Sequence, residues 1–346
     1  MSLRSISAVF VVGIAFGVPA AQAHHSFAAT FTDEIIEVEG VVESLKFSNP
    51  HVIVTFNVTD ENGNVTQWLG EGGSATSLRN QGWDRDTLSP GDYIRITGAS
   101  TRNGSPMVSM VEADSVEIVD PSTGLVVGSP GGEEEVDGVV MNMPLQLANG
   151  LPNISGFWTG EATGRVGRPI EHVPPLPFNE IGAAIQTEFD PAYDPQVRCE
   201  PPGLVRQAGF TPHPVRIVQH DDRVELWYEE YAGHRTVYFD DRDLGGTEKT
   251  HLGQSIARYE GQTLVIESTN LLPNLVATNG NLLTDQTSTV ETYYRKDKPD
   301  GRAVLALDLV ATDPGHLTAP WTISWEKYAE RDYEFIEVEC KVPLGM

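Results

Sequence analysis

Three histidines carry the sharpest chemistry in this sequence. His24 and His25 follow Ala21-Gln22-Ala23, and His51 follows Asn49-Pro50. Cleavage after Ala23 would make His24 an N-terminal residue, with a free α-amine beside its own ring nitrogen. An amine and an imidazole on one residue chelate Cu(II), which favours nitrogen donors in tetragonal geometry. His25 or His51 then supplies a third nitrogen. His51 is the better donor, because Pro50 stiffens the chain just before it. The competing expectation is plainer: a flexible start at His24-His25 and a hydrogen-bonded His51.

The copper reading needs a leader peptide. Arg4 gives a short positive region, residues 6–18 are apolar, and Ala21-Gln22-Ala23 has the small-x-small form of a cleavage site. The apolar run falls short of the ~20 residues that cross a bilayer. These features predict a signal peptide over residues 1–23 and a periplasmic or secreted protein with no membrane span after cleavage. In residue types, the histidine arrangement resembles the histidine brace of exported copper-binding proteins and copper oxygenases, without their other motifs. Copper is the one cofactor the sequence suggests.

The 346 residues suffice for about two domains. The 49 acids outnumber the 23 bases, for a net charge of -26. Such a chain repels phosphate backbones, which argues against a nucleic-acid partner. Two cysteines, Cys199 and Cys340, predict one disulfide in an exported chain. Closing so long a loop is worth about 4 kcal/mol in the chain-entropy account.

Residues 24–120 read as strands throughout. Val52, Val54, Phe56 and Val58 alternate with polar or outward residues, and Asn62-Gly63 is a hairpin dipeptide. Gly40 suggests a bulge in a long first strand. Residues 74–81 suggest a short helix ended by Gly82, and two more strands follow, at 93–98 and 107–119. Three strands, a helix and two strands is the order of an OB-fold, a five-stranded barrel. His24-His25-Ser26-Phe27, Phe47-Ser48-Asn49-Pro50-His51, Trp68, Gly82-Trp83 and Ser89-Pro90-Gly91-Asp92 together resemble domain-of-unknown-function family 6152, an exported bacterial family. The resemblance implies export and a small β domain, and no activity.

Residues 121–153, rich in Gly, Pro, Ser and acids, read as a linker. Residues 154–346 hold eight or nine regularly spaced strands, which predict a larger antiparallel barrel of lipocalin type. One short helix is expected in each domain, the second starting after Asn179. Cys199-Glu200-Pro201-Pro202-Gly203, residues 235–242, residues 253–264 and Pro320-Trp321-Thr322 resemble a second exported bacterial domain of unknown function. Its members usually carry Gly-His-Ser-Ile-Gly where this chain has Gly253-Gln254-Ser255-Ile256-Ala257. Ser255 leads into a strand rather than a strand–turn–helix elbow, so it is not read as a nucleophile. His220, His234, His251 and His316 show no ligand spacing, and Glu229-Glu230 and Asp240-Asp241 read as solvated faces.

Three functions remain open, in order. The first is an exported binding protein with a small apolar ligand in the second barrel, lined by Trp227, Tyr228, Arg235 and Tyr238. The second is a copper protein using His24 with His25 or His51. The third is an enzyme acting on a small organic molecule without a recognisable motif. The sequence predicts no oligomeric state.

Overall fold

The computed structural model describes residues 30–49, 51–79, 81–110, 115–128, 143–160, 162–163, 173–190, 193–195, 199–209, 213–240, 248–277, 280–331 and 333–336. His24, His25 and Cys340 lie outside them.

The N-terminal domain is built from β1 (Phe31–Lys46), β2 (Ile53–Thr59), β3 (Val65–Gly72), α1 (Ala75–Arg79), β4 (Tyr93–Thr101), β5 (Met107–Met110), β6 (Val116–Asp120) and β7 (Leu125–Gly128). Alternation decides the inward face: Val54 and Phe56 on β2, and Ile94 and Ile96 on β4, are fully buried. Pairing runs β1-β2-β3-β5-β4 and returns to β1, the closed order expected for an OB-fold. In a closed circuit an odd number of strands cannot alternate direction throughout. Here the parallel junction is β3–β5, which pairs Leu69 with Met107 through to Gly72 with Met110. The bulge falls between Val42 and Ser44. Gly40 has a different role: a Cβ there would sit 2.6 Å from the Asn57 carbonyl oxygen, so glycine lets β1 and β2 approach. The expected single last strand is two, β5 and β6, and β7 forms inside the expected linker and pairs with β6.

The second domain comprises β8 (Gly156–Thr159), α2 (Glu180–Glu188), α3 (Leu204–Gly209), β9 (Val215–Gln219), β10 (Arg223–Tyr228), β11 (Gly233–Tyr238), β12 (Gln254–Glu260), β13 (Thr263–Thr269), β14 (Asn274–Leu275), β15 (Leu282–Leu283), β16 (Ser288–Arg295), β17 (Val304–Thr312) and β18 (Trp321–Glu330). Nine of these strands close a barrel in the order β10-β11-β12-β13-β16-β17-β18-β8-β9. The Asn179 side chain accepts from the Gly182 amide and starts α2, as the sequence predicts. Helix α3 is a second helix where one is expected. All six of its residues are buried, and its Ala208 carbonyl accepts from the Trp325 indole at 2.7 Å. It therefore packs on inward-facing residues of β18 and helps to fill the barrel.

The sequence also reads as a strand over residues 333–340; of these the described residues, 333–336, are not one. They lie against the first domain instead: Ile336 joins its core, and the Arg79 guanidinium sits 4.6 Å above the Tyr333 ring. A hydrophobic residue buried against another domain has no strand neighbour to pair with, so alternation alone misleads there.

Candidate functional site

Nine strands, like five, require a parallel junction. It falls between β11 and β12, where a single residue pair, Tyr238 with Ile256, holds the strands. Every other junction of this barrel is antiparallel. The barrel wall is thus thinnest at β11–β12.

A guanidinium closes it from inside. Arg235 faces inward on β11, with its side chain 3% exposed, and meets the fully buried Glu291 of β16 at 2.8 Å. Its Nη1 donates to the Tyr228 hydroxyl at 2.9 Å and to Glu291 at 3.0 Å. Its Nη2 donates to Ser255 Oγ at 2.9 Å and to Ser268 Oγ at 3.0 Å. The Tyr293 hydroxyl also donates to Glu291 at 2.8 Å. One side chain therefore reaches β10, β12, β13 and β16, doing with side-chain hydrogen bonds what the β11–β12 backbone does at one position only. Burial pushes the Tyr228 phenol up to about 12, against the opposing pull of Arg235. Burial raises Tyr293 further, reinforced by the nearby Glu291 carboxylate. Both phenols stay protonated at neutral pH. Arg235 stays charged, because Glu291 outweighs its desolvation.

Beside this junction lies a cavity of about 500 Å³, lined by His234, Arg235, Thr236, Thr250, His251, Leu252, Gly253, Gln254 and Ser255. Gly253 makes the turn that brings the chain into β12. Its φ is +66°, and a Cβ there would meet the Thr269 carbonyl oxygen at 2.3 Å. Glycine alone satisfies both demands. The Gln254 side chain accepts from Asn270 at 2.6 Å, so the residue standing where the resembled domain carries histidine ties the start of β12 to the chain just after β13.

The four expected ligand residues divide by strand parity. Tyr228 and Arg235 point inward and touch. Trp227 and Tyr238 point outward. Trp227 stacks on His234 of the facing strand, with ring centroids 3.7 Å apart. Only Arg235 of the four lines the cavity. His51 is half-buried and its Nδ1 donates to the Gly72 carbonyl at 3.0 Å. Among the described residues, no group of three or more His, Cys, Asp or Glu is spaced to hold a metal ion. His316 donates to the Leu282 carbonyl at 2.7 Å, a structural role. Cys199 is not a free thiol, and its expected partner is outside the described residues.

The reading of Glu229-Glu230 as a solvated face is wrong: they are 2% and 4% exposed. The Glu229 carboxylate accepts from Asn49 at 3.0 Å, Tyr333 at 2.5 Å and the Ile336 amide at 2.8 Å, and also from Thr76. His213 lies 3.5 Å away. Burial alone would raise its pKa. The hydrogen bonds from His213, Thr76, Tyr333 and Ile336 outweigh that and hold the carboxyl below its ordinary range. Asn49 and Thr76 belong to the first domain, so one carboxylate joins both. The chain just after it is strained, with Tyr231 at φ 55° and Ala232 at φ 48°.

Fold and site together define a two-barrel β protein whose larger barrel has a cavity at its parallel junction. Residues 13–109 match the model of a family of unknown function, DUF6152. The chain thus carries an N-terminal DUF6152 domain, and the match ends within β5, short of the barrel that holds the cavity. No curated protein matches the chain.

Proposed function

We propose that the chain is an exported binding protein that holds a small molecule at the β11–β12 junction. One observation carries this reading: a cavity of about 500 Å³ lies where the nine-stranded wall has a single backbone pair. That volume falls in the usual range for small-molecule sites. Seven of the nine lining residues carry polar side chains, yet most of the exposed lining is apolar, so the ligand pairs an apolar body with a hydrogen-bonding group, where a lipocalin-like barrel anticipated a purely apolar one. Among the described residues the Ser255 hydroxyl is hydrogen-bonded to Arg235 and Ser268, neither of them a base. The test is a fragment screen by ligand-observed NMR, on the wild type and on Thr236→Trp, which fills the cavity. Hits lost in the variant support the site. A screen without hits, or hits indifferent to the variant, sinks it.

A second reading keeps copper at His24, with His51 as a further ligand. His51 supports it in one respect: its Nδ1 donates to a backbone carbonyl, the arrangement that orients a histidine to bind metal through Nε2. Export, cleavage after Ala23 and the Cys199–Cys340 bridge belong to the same proposal. Mass spectrometry of protein recovered from the periplasm reads all three. Calorimetric Cu(II) titration of wild type, His24→Ala and His51→Ala then decides the metal. Equal binding in all three retires it.

A further inference from the structure

We infer that the junction cavity takes a small organic carboxylate, held by the hydroxyl hydrogen of Ser255; the inference rests on the proposed binding site. Ser255 Oγ and Ser268 Oγ are 2.8 Å apart, and either can donate to the other. Both accept from Arg235 Nη2. Ser268 is 1% exposed, and the sole acceptor recorded for its hydroxyl hydrogen among the described residues is Ser255 Oγ. If Ser255 donated to Ser268, the Ser268 hydrogen would be stranded in the core. A buried donor without a partner is strongly disfavoured. Ser268 therefore donates and Ser255 accepts twice, once from the guanidinium and once from the neighbouring hydroxyl.

Ser255, half-buried in the cavity wall, is left with its own O–H hydrogen and no lone pair to offer. It is a donor towards the cavity, and its ligand must present an acceptor. Two further groups in the same wall have unused hydrogen-bonding capacity. Arg235 Nε is buried without a partner, as is Nδ1 of His251. Arg235 Nε can only donate.

Charge narrows the acceptor. The described lining contains one arginine, two histidines and neither aspartate nor glutamate. This is out of keeping with a chain of net charge -26. Glu291 neutralises Arg235 from behind, and Glu225 lies 3.8 Å from His234 on the outer face. The site therefore holds an anion less by net charge than by the Ser255 hydroxyl hydrogen, and a carboxylate accepts from such a donor readily. The same electronic arrangement argues against a nucleophilic Ser255, whose lone pairs are directed at a cation and a hydroxyl.

The test uses the full chain with three probes of one shape: benzoate, benzyl alcohol and benzylamine. The amide resonances of Gly253, Gln254 and Ser255 report binding. Benzoate is expected to shift them saturably, and the other two not. Ser255→Ala should weaken benzoate at least about tenfold, while Ser255→Thr, which keeps the hydroxyl, should restore binding. The spectrum away from the junction verifies the fold of each variant. If benzyl alcohol or benzylamine binds there as well as benzoate, the site stands and the carboxylate assignment falls. Equal benzoate binding by Ser255→Ala overturns the role of the hydroxyl. Shifts from none of the probes overturn both the assignment and the site.

Discussion

The two barrels solve one topological problem in different ways. Each closes an odd number of strands and must contain a parallel junction. The small barrel zips its junction with a run of backbone pairs, from Leu69–Met107 to Gly72–Met110. Its weak place is the neighbouring antiparallel contact of β4 with β5, a single pair, Ser100 with Val108. There Ser109 Oγ accepts from the Ala99 amide at 2.7 Å, and Gly98 lets the strands close up. The large barrel leaves its parallel junction almost unzipped and bridges it with Arg235. A junction held by backbone is sealed; one held by a side chain leaves room beside it, and that room is the candidate site.

If the guanidinium is the closure of the large barrel, removing it should have the largest effect. Arg235→Met leaves Glu291 buried and uncompensated, with an expected loss of about 3–5 kcal/mol in urea unfolding. Replacing both, as Arg235→Met with Glu291→Leu, should recover much of that loss. Equal losses in the single and double variants would show that the pair is not what closes the seam. In the small barrel the comparable weak point is Gly98, where a Cβ would sit 1.8 Å from the Ser109 carbonyl oxygen. Gly98→Val should cost about 2–3 kcal/mol by forcing β4 from β5, read by the same unfolding curves.

Glu229 ties the two barrels together. Its folded pKa lies below the ordinary 4.5. It therefore stabilises the fold above that value, and the contribution is lost as pH falls through the lowered folded pKa. Glu229→Gln should cost about 2 kcal/mol near neutrality, and the gap from wild type should narrow on acidification below about pH 4. A gap that is constant with pH would assign the loss to packing. The smallest effect is expected on the outer wall. Trp227→Ala removes a cross-strand stack with His234 and should cost about 1 kcal/mol or less, with the cavity unaffected in the benzoate titration.

Strand positions were largely legible because alternation is a local signal: Val224, Leu226 and Tyr228 all turn inward as the pattern requires. Helix α3 was not legible. Leu204 to Gly209 is short and buried on every side, so it has no polar face to mark a helical period. The site was half legible. Arg235 and Glu291 each occupy an inward position on an otherwise alternating strand, and two opposite charges so placed suggest a buried pair. Their contact spans 56 residues, and neither Ser268 nor the lone parallel junction leaves a local trace. The Glu229 junction was invisible for the same reason, since its partner Asn49 is 180 residues away. The adjacent acids resembled a surface run.

The position of Ile336 has a consequence for the order of events during synthesis. This residue completes a core whose other buried members run from Val38 to Val116. Domains ordinarily fold as they emerge, the first one first. Here the small barrel can form its strands early, but the part of its core that Ile336 covers stays open until every described strand of the second barrel has been made. The first domain is begun first and finished last.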